Sequence, residues 1–196
     1  MQRFMRKPDP TPGKLRIIGG SLRGSRLEIP SAPGLRPTPD RVRETLFNWL
    51  APVIEGAQCL DLFAGTGALG IEALSRGAAG VQFVERDARA AQSLRANLAR
   101  LEADAGQVAV LDAGLFLQGA AQPYDLVFLD PPFALDLWPA LARQLEQGGW
   151  LAARGWVYVE SPRGLAPALP PNWQLHREGQ AGEVRFALYR RALPLS

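Results

Sequence analysis

The sequence predicts an α/β fold built on a parallel sheet with crossover helices, preceded by a small N-terminal β-hairpin. Three observations predict it. From residue 58 onward, short apolar runs alternate with amphipathic segments, which is the pattern of βα units with right-handed crossovers. The first such turn, residues 61–70, is glycine-rich, with an acid 20 residues beyond its first glycine. The run Leu126-Val127-Phe128-Leu129, apolar at every position, reads as a strand buried on both faces, and it stops at Asp130-Pro131-Pro132-Phe133.

Taken in order, residues 14–20 and 24–29 read as two strands of the hairpin, joined through Ser21, Leu22 and Arg23. Gly19, Gly20 and Gly24 supply the turn. Residues 31–37 form a Pro/Gly loop. Thr38 is placed to cap a helix, with Pro39 at its first position; Val42, Leu46, Trp49 and Leu50 then make one apolar face, and Pro52 ends it. Strands follow at 59–63, 81–85, 108–111, 126–130 and 157–160, with helices at 68–76, 88–101 and 138–146. Gly77 is a natural stop for the first of these helices, and Leu94, Leu98 and Leu101 share a face of the second. Residues 173–178 and 184–190 alternate around 179–182 and predict an antiparallel hairpin. The expected organisation is a disordered lead-in at 1–13, a hairpin and helix at 14–52, and the sheet domain at 53–196, the last two forming one unit.

Composition excludes several classes. At 47% hydrophobic and 21% charged, the 196 residues are ordinary globular material. No apolar run approaches the ~20 residues that span a bilayer, and residues 1–13 lack the apolar centre of a secretory signal. A single cysteine, Cys59, in a core strand predicts a buried inert thiol and fits a reducing cytoplasm. The net charge of +3 divides into +7 over residues 1–43 and −4 over the rest. That asymmetry points to an anionic partner for the N-terminal segment, nucleic acid first, against the plain alternative of a solvated basic surface. Arg16, Arg23 and Arg26 on the hairpin are the candidate contacts.

The chemistry-bearing residues lie at strand ends. Gly65, Gly67 and Gly70 satisfy G-x-G-x-x-G, and Glu85 stands where an acid accepts from ribose hydroxyls. A nucleoside therefore sits here. Asp61, at the end of the first strand of the series, would suit a cationic ammonium and repel a pyrophosphate; the alternative is a capping role in the turn. Asp112 can accept from an adenine amino group, with the Ala113 N–H meeting a ring nitrogen, or can cap a short helix near Leu115. Phe63 and Arg86, beside these positions, complete the candidate cofactor set. Pro131 and Pro132 stiffen the corner after Asp130. There the Asp130 carboxylate and the Pro131 carbonyl can accept both hydrogens of a planar amine while Phe133 stacks on it; the alternative is a strand end with a core Phe. His176 is expected on a strand surface.

With these residues in hand, the chain resembles the class I S-adenosylmethionine-dependent methyltransferases. The 61–70 loop is similar to their motif I, Glu85 to the acid of motif II, Asp112-Ala113 to motif III, and Asp130-Pro131-Pro132-Phe133 to motif IV. Leu15-Arg16-Ile17-Ile18-Gly19-Gly20, Leu35-Arg36-Pro37-Thr38, residues 40–50 and residues 70–76 more specifically resemble the RsmD family of bacterial 16S ribosomal RNA guanine-N2 methyltransferases. The resemblance runs from about residue 14 to 190. It implies a Rossmann-like sheet of seven strands, the last inserted antiparallel, with helices on both faces. It implies S-adenosylmethionine as cofactor and 16S RNA as partner, within the small subunit or a late assembly intermediate. A monomer, no membrane and no metal are expected.

Other classes remain open on residues alone. A nicotinamide dehydrogenase fits the glycine loop but has no use for Asp-Pro-Pro-Phe. A DNA amino-methyltransferase would lack room for a target-recognition domain. An RNA-binding assembly factor would bind without transferring a methyl group.

Overall fold

The computed structural model describes residues 13–29 and 37–193. The lead-in expected at 1–13, all but Gly13, and most of the loop expected at 31–37 lie outside them. Two strands, β1 (Gly13–Arg16) and β2 (Arg26–Ile29), form the predicted hairpin, with Gly13 already in strand. Leu15 and Leu27 face each other on its buried side, Arg16 and Arg26 on its exposed side. Gly20 and Gly24 take positive φ in the turn.

Helix α1 (Asp40–Leu50) follows. Thr38 does not cap it; Pro39 holds the cap position and Asp40 is the first helical residue. The Thr38 hydroxyl is drawn elsewhere, as described below. The apolar face is also rotated from expectation: Phe47 is fully buried and Trp49 half-buried, stacking on Phe186 at 5.4 Å. Arg43, which charge counting placed with the exposed cations, is wholly buried.

The remaining chain builds one seven-stranded sheet. Its strands are β3 (Gln58–Asp61), β4 (Gly80–Val84), β5 (Gly106–Ala109), β6 (Tyr124–Leu129), β7 (Leu151–Pro162), β8 (Trp173–Ala181) and β9 (Val184–Arg191). Their spatial order is β5-β4-β3-β6-β7-β9-β8, parallel except that β9 runs antiparallel to both neighbours. Strand β7 is much longer than the four residues expected, because 151–156 also pair loosely beside Tyr124. The third expected strand begins and ends earlier, leaving Val110 and Leu111 exposed. Helices α2 (Ala68–Ser75) and α3 (Ala88–Arg100), with α1 and the hairpin, cover one face; α4 (Ala113–Phe116) and α5 (Trp138–Gln147) cover the other.

Period-two alternation makes both faces apolar, as a parallel sheet requires. Cys59, Phe83, Phe128 and Tyr158 point into the first core, while Leu60, Val84, Val127 and Val159 point into the second. Cys59 is buried, and burial pushes its thiol up to about 12, so it is inert. Two glycines of the loop are required by close approach: a Cβ on Gly70 would meet the Phe83 ring at 2.2 Å, and one on Gly67, with φ +79°, would meet Leu94 at 2.3 Å. These contacts let α2 lie flat on β4.

The hairpin is anchored rather than appended. Glu72 of α2 is fully buried, and its carboxylate accepts from the amides of Ile18 and Gly19 at 2.9 and 2.8 Å. It also pairs with Arg43 at 3.3 Å and Arg76 at 2.9 Å. Arg43 in turn donates to the carbonyls of Thr38 and Arg16. The charge of this buried cluster is thus satisfied internally, as buried charges must be. Gly20 lies so close to the end of α2 that a Cβ there would fall 1.8 Å from the Ser75 carbonyl oxygen. Among the described residues, no helix is long and apolar enough to cross a membrane.

Candidate active site

The order β4-β3-β6-β7 reverses direction of travel between β3 and β6, so a crevice opens beyond the carboxyl ends of these strands. Four acids stand at that rim. Asp61 ends β3, Glu85 follows β4, Asp130 follows β6, and Glu160 lies near the end of β7. Each comes two residues after a side chain of the first core: Cys59, Phe83, Phe128 and Tyr158 respectively. Alternation therefore sends all four carboxyls to the same face. A fifth acid, Asp112, follows β5.

The glycine loop hangs from this row. Glu85 accepts from the Gly65 amide at 2.8 Å and, through its other oxygen, from the Asp87 amide at 2.8 Å. Its carboxylate thus holds the loop in shape, and each oxygen retains acceptor capacity for a ribose hydroxyl. Gly65 and Gly67 both take positive φ, at 51° and 79°. Asp61 is 3% exposed and accepts from the Gly70 amide at 3.2 Å. Burial raises its carboxyl to about 7 against the lowering effect of that amide, and the Glu85 charge raises it further. It therefore does perform the local turn role, while remaining an anion poised to form when a cation arrives. Phe63 is half-buried beside it; Arg86 is exposed on the outer side of Glu85. Asp112 caps α4, one oxygen accepting from Gly114 at 2.8 Å and Leu115 at 3.2 Å. Its second oxygen has no such bond, and Ala113 behind it is buried. The helix-cap reading of Asp112 is thus what the chain shows, with room left for an adenine amine.

At the Pro corner, Pro131 is buried and Phe133 opens a short 3₁₀ turn (Phe133–Leu135). The Phe133 ring is backed by Trp138 at 5.8 Å, so it is held as a platform. Asp130 is half-buried. Burial first, then the charges of Glu160 and Asp61, raises its carboxyl well above the usual range. Glu160 is 5% exposed and escaped the sequence reading, which saw only a strand end. It accepts from the Thr38 hydroxyl at 2.9 Å and the Tyr158 hydroxyl at 2.8 Å, both on Oε1. The indole N–H of Trp138 donates to its backbone carbonyl at 2.8 Å. The repeated spacing, a core residue and then an acid two further on, was the available signal for Glu160.

The structure thus gathers Asp61, Gly65, Gly67, Glu85, Asp130, Pro131 and Phe133 around one crevice, with Asp112 and Ala113 past the end of β5, at the start of α4. Arg16, Arg23 and Arg26 lie apart from it, exposed on the hairpin. His176 is exposed, its ring edge against Trp156.

Comparison with known proteins settles the family. The family described as conserved hypothetical protein 95 matches residues 15–190. The Escherichia coli (strain K12) protein named ribosomal RNA small subunit methyltransferase D is 53% identical over 190 residues, covering 95% of this chain and 96% of that one. The chain belongs to the RsmD family. The Haemophilus influenzae protein of the same name is 43% identical, covering 91% of this chain and 94% of its own. The solved structure of yhhF from Escherichia coli superposes with a TM-score of 0.85 at 51% identity, covering 92% of this chain and 99% of that one. As an RsmD-family member the chain is a methyltransferase, and the dehydrogenase alternative falls away. The donor set fits S-adenosylmethionine: a glycine cradle closed by Glu85 for a nucleoside, and Asp61, with no cationic partner among the described residues, for an ammonium.

Proposed function

We propose that this RsmD-family chain methylates the exocyclic N2 amine of a guanine in 16S ribosomal RNA, acting in the cytoplasm as a monomer on the small subunit or a late assembly intermediate. The observation that carries the reading is the junction of β3 and β6, where the Asp-Pro-Pro-Phe corner opens onto the same crevice as the glycine loop. S-adenosylmethionine supplies the methyl group on a sulfonium, whose bond breaks with its electron pair left on sulfur. Glu85, Asp61 and Asp112 hold the cofactor, and Gly65 and Gly67 allow it close to the backbone. Asp130 and the Pro131 carbonyl accept from the target amine. This favours a tetrahedral nitrogen with its lone pair free to form the new bond, and stabilises the positive charge that grows there. The surplus proton leaves to solvent. Phe133 stacks on the base once it has left its own stack.

The hairpin supports an RNA partner. Arg16 and Arg26 are direct cross-strand partners on the exposed face, a pairing that costs stability unless an anion lies between or above them. Arg23 projects from the adjoining turn. Phosphates suit this cluster and would position the strand without reading sequence. The test is transfer of label from S-adenosylmethionine to small subunits lacking the modification, to bare 16S RNA and to duplex DNA. Label on guanine N2 in subunits is the expected result. No label on RNA, or label on DNA, overturns the reading.

A further inference from the structure

We propose that Glu160 is a positioning residue for methyl transfer: it accepts the hydrogen of the Asp130 carboxyl, so that Asp130 meets the target amine with a carbonyl oxygen, as an asparagine would. The inference rests on the function proposed above and adds a residue to it.

The geometry begins with register. β6 and β7 are parallel neighbours, with Leu129 opposite Val159. The next pair along is Asp130 and Glu160, whose carboxyls alternation sends to the same face of the sheet. Two carboxyls side by side, one buried and one half-buried, resist ionising together; one proton is shared between them. Its location follows from the other partners. Glu160 already receives the Thr38 and Tyr158 hydroxyls on Oε1, each donor stabilising the anion. Burial raises the Glu160 carboxyl as well, but these donors work against it, whereas burial and neighbouring charge all raise Asp130; Glu160 is therefore the ionised member, and a hydrogen bond between the two acids takes its hydrogen from Asp130. Asp61 on β3 also faces the pair, and once ionised it too favours a neutral Asp130. Glu85 acts one strand further away, on Asp61.

The consequence is chemical. A neutral Asp130 has one hydrogen committed to Glu160 and one carbonyl oxygen free. That is the donor and acceptor layout of an amide. The negative charge that steadies the growing positive charge on the amine then resides on Glu160, one residue removed from the amine. Thr38 thus has a task beyond the helix start: it reaches from the segment before α1 to fix this anion.

The experiment compares wild type with Asp130→Asn, Asp130→Ala, Glu160→Gln and Tyr158→Phe. Single-turnover methylation of small subunits is followed across pH, together with the carbon-13 signal of the Asp130 carboxyl in the free protein. Asp130→Asn should keep the rate within about tenfold, whereas Asp130→Ala should lose about a hundredfold or more. The Asp130 carbon signal should show a protonated acid at pH 7 in wild type and an ionised one in Glu160→Gln. Tyr158→Phe removes one donor from the Glu160 anion and should move the acid limb of the rate profile to higher pH. A role in packing alone would lower the melting temperature and leave that limb in place. An Asp130→Asn variant as inactive as Asp130→Ala, or an Asp130 ionised at pH 7 in wild type, overturns the proposal. Absence of methylation by wild type itself would instead refute the function, and the carbon signal would still decide where the proton lies.

Discussion

Replacing Asp61 with Asn should make the free protein more stable, and only above a definite pH. Burial lifts the Asp61 carboxyl from its ordinary 3.8 to about 7. Between those values the unfolded chain has released its proton and the folded protein still holds it. The folded state then binds more protons, so stability falls as pH rises through this window. The contribution is intact below about pH 4 and fully lost above about pH 7. At about 1.4 kcal/mol per pH unit, a gap of roughly three pH units comes to about 4 kcal/mol. Asparagine has no proton to release and keeps an oxygen for the Gly70 amide, so it escapes that loss. Urea unfolding of both proteins at intervals from pH 4.5 to 8.5 measures it. The difference should open in favour of Asp61→Asn with rising pH and level off near pH 7, at no more than about 4 kcal/mol. Two parallel curves would refute a protonated Asp61. The same argument extends to the cofactor. An ammonium beside Asp61 favours the anion, so affinity for S-adenosylmethionine should rise with pH up to about 7 in wild type and stay level in Asp61→Asn, as read by calorimetry.

Glu85→Ala removes both the ribose acceptor and the brace on Gly65, and should weaken S-adenosylmethionine binding by about one to two orders of magnitude; unchanged affinity in a folded variant would take Glu85 out of the site. Converting Arg16, Arg23 and Arg26 together to Gln should weaken RNA binding and reduce the slope of log affinity against log salt by up to about two to three. Cofactor affinity should hold, and an unchanged slope would make the hairpin a structural flap. Gly20→Ala would force a Cβ onto the Ser75 carbonyl and break the positive φ, so urea unfolding should show a loss of at least about 1 kcal/mol; a neutral result would mean that the turn readily moves off α2.

What could be read ahead of the structure was what depends on local pattern. The βα alternation, the glycine loop and the Asp-Pro-Pro-Phe corner announce themselves because each uses residue types that only a few backbone conformations accept. Glu85 was legible from its spacing to Gly65. What failed depends on long-range partners. Thr38 looks like a cap by composition, yet its hydroxyl is claimed by Glu160, 122 residues away. Arg43 looks like one more surface cation until Glu72 and the carbonyls of Arg16 and Thr38 are placed around it. Phe47 and Trp49 exchange roles because the sheet, not the helix period alone, chooses which side of α1 is covered. Glu160 went unseen because its mark, an acid two residues after a core side chain, shows only when several strand ends are compared, and its neighbour across the sheet gives it meaning.

The bond between Thr38 and Glu160 also bears on the order in which the protein can come into being. A ribosome delivers Thr38 early and Glu160 only after another 122 residues. Trp49 waits longer still, for Phe186. Until then the start of α1 has no carboxylate to hold, and its aromatic face has no ring to lie on. Contacts that span so much chain form slowly and late. A nascent copy therefore carries a glycine loop well before it carries a finished catalytic corner. The corner at Asp130 gains its neighbour only once Glu160 has been made, so a copy that stops short of that strand lacks the Thr38–Glu160 bond.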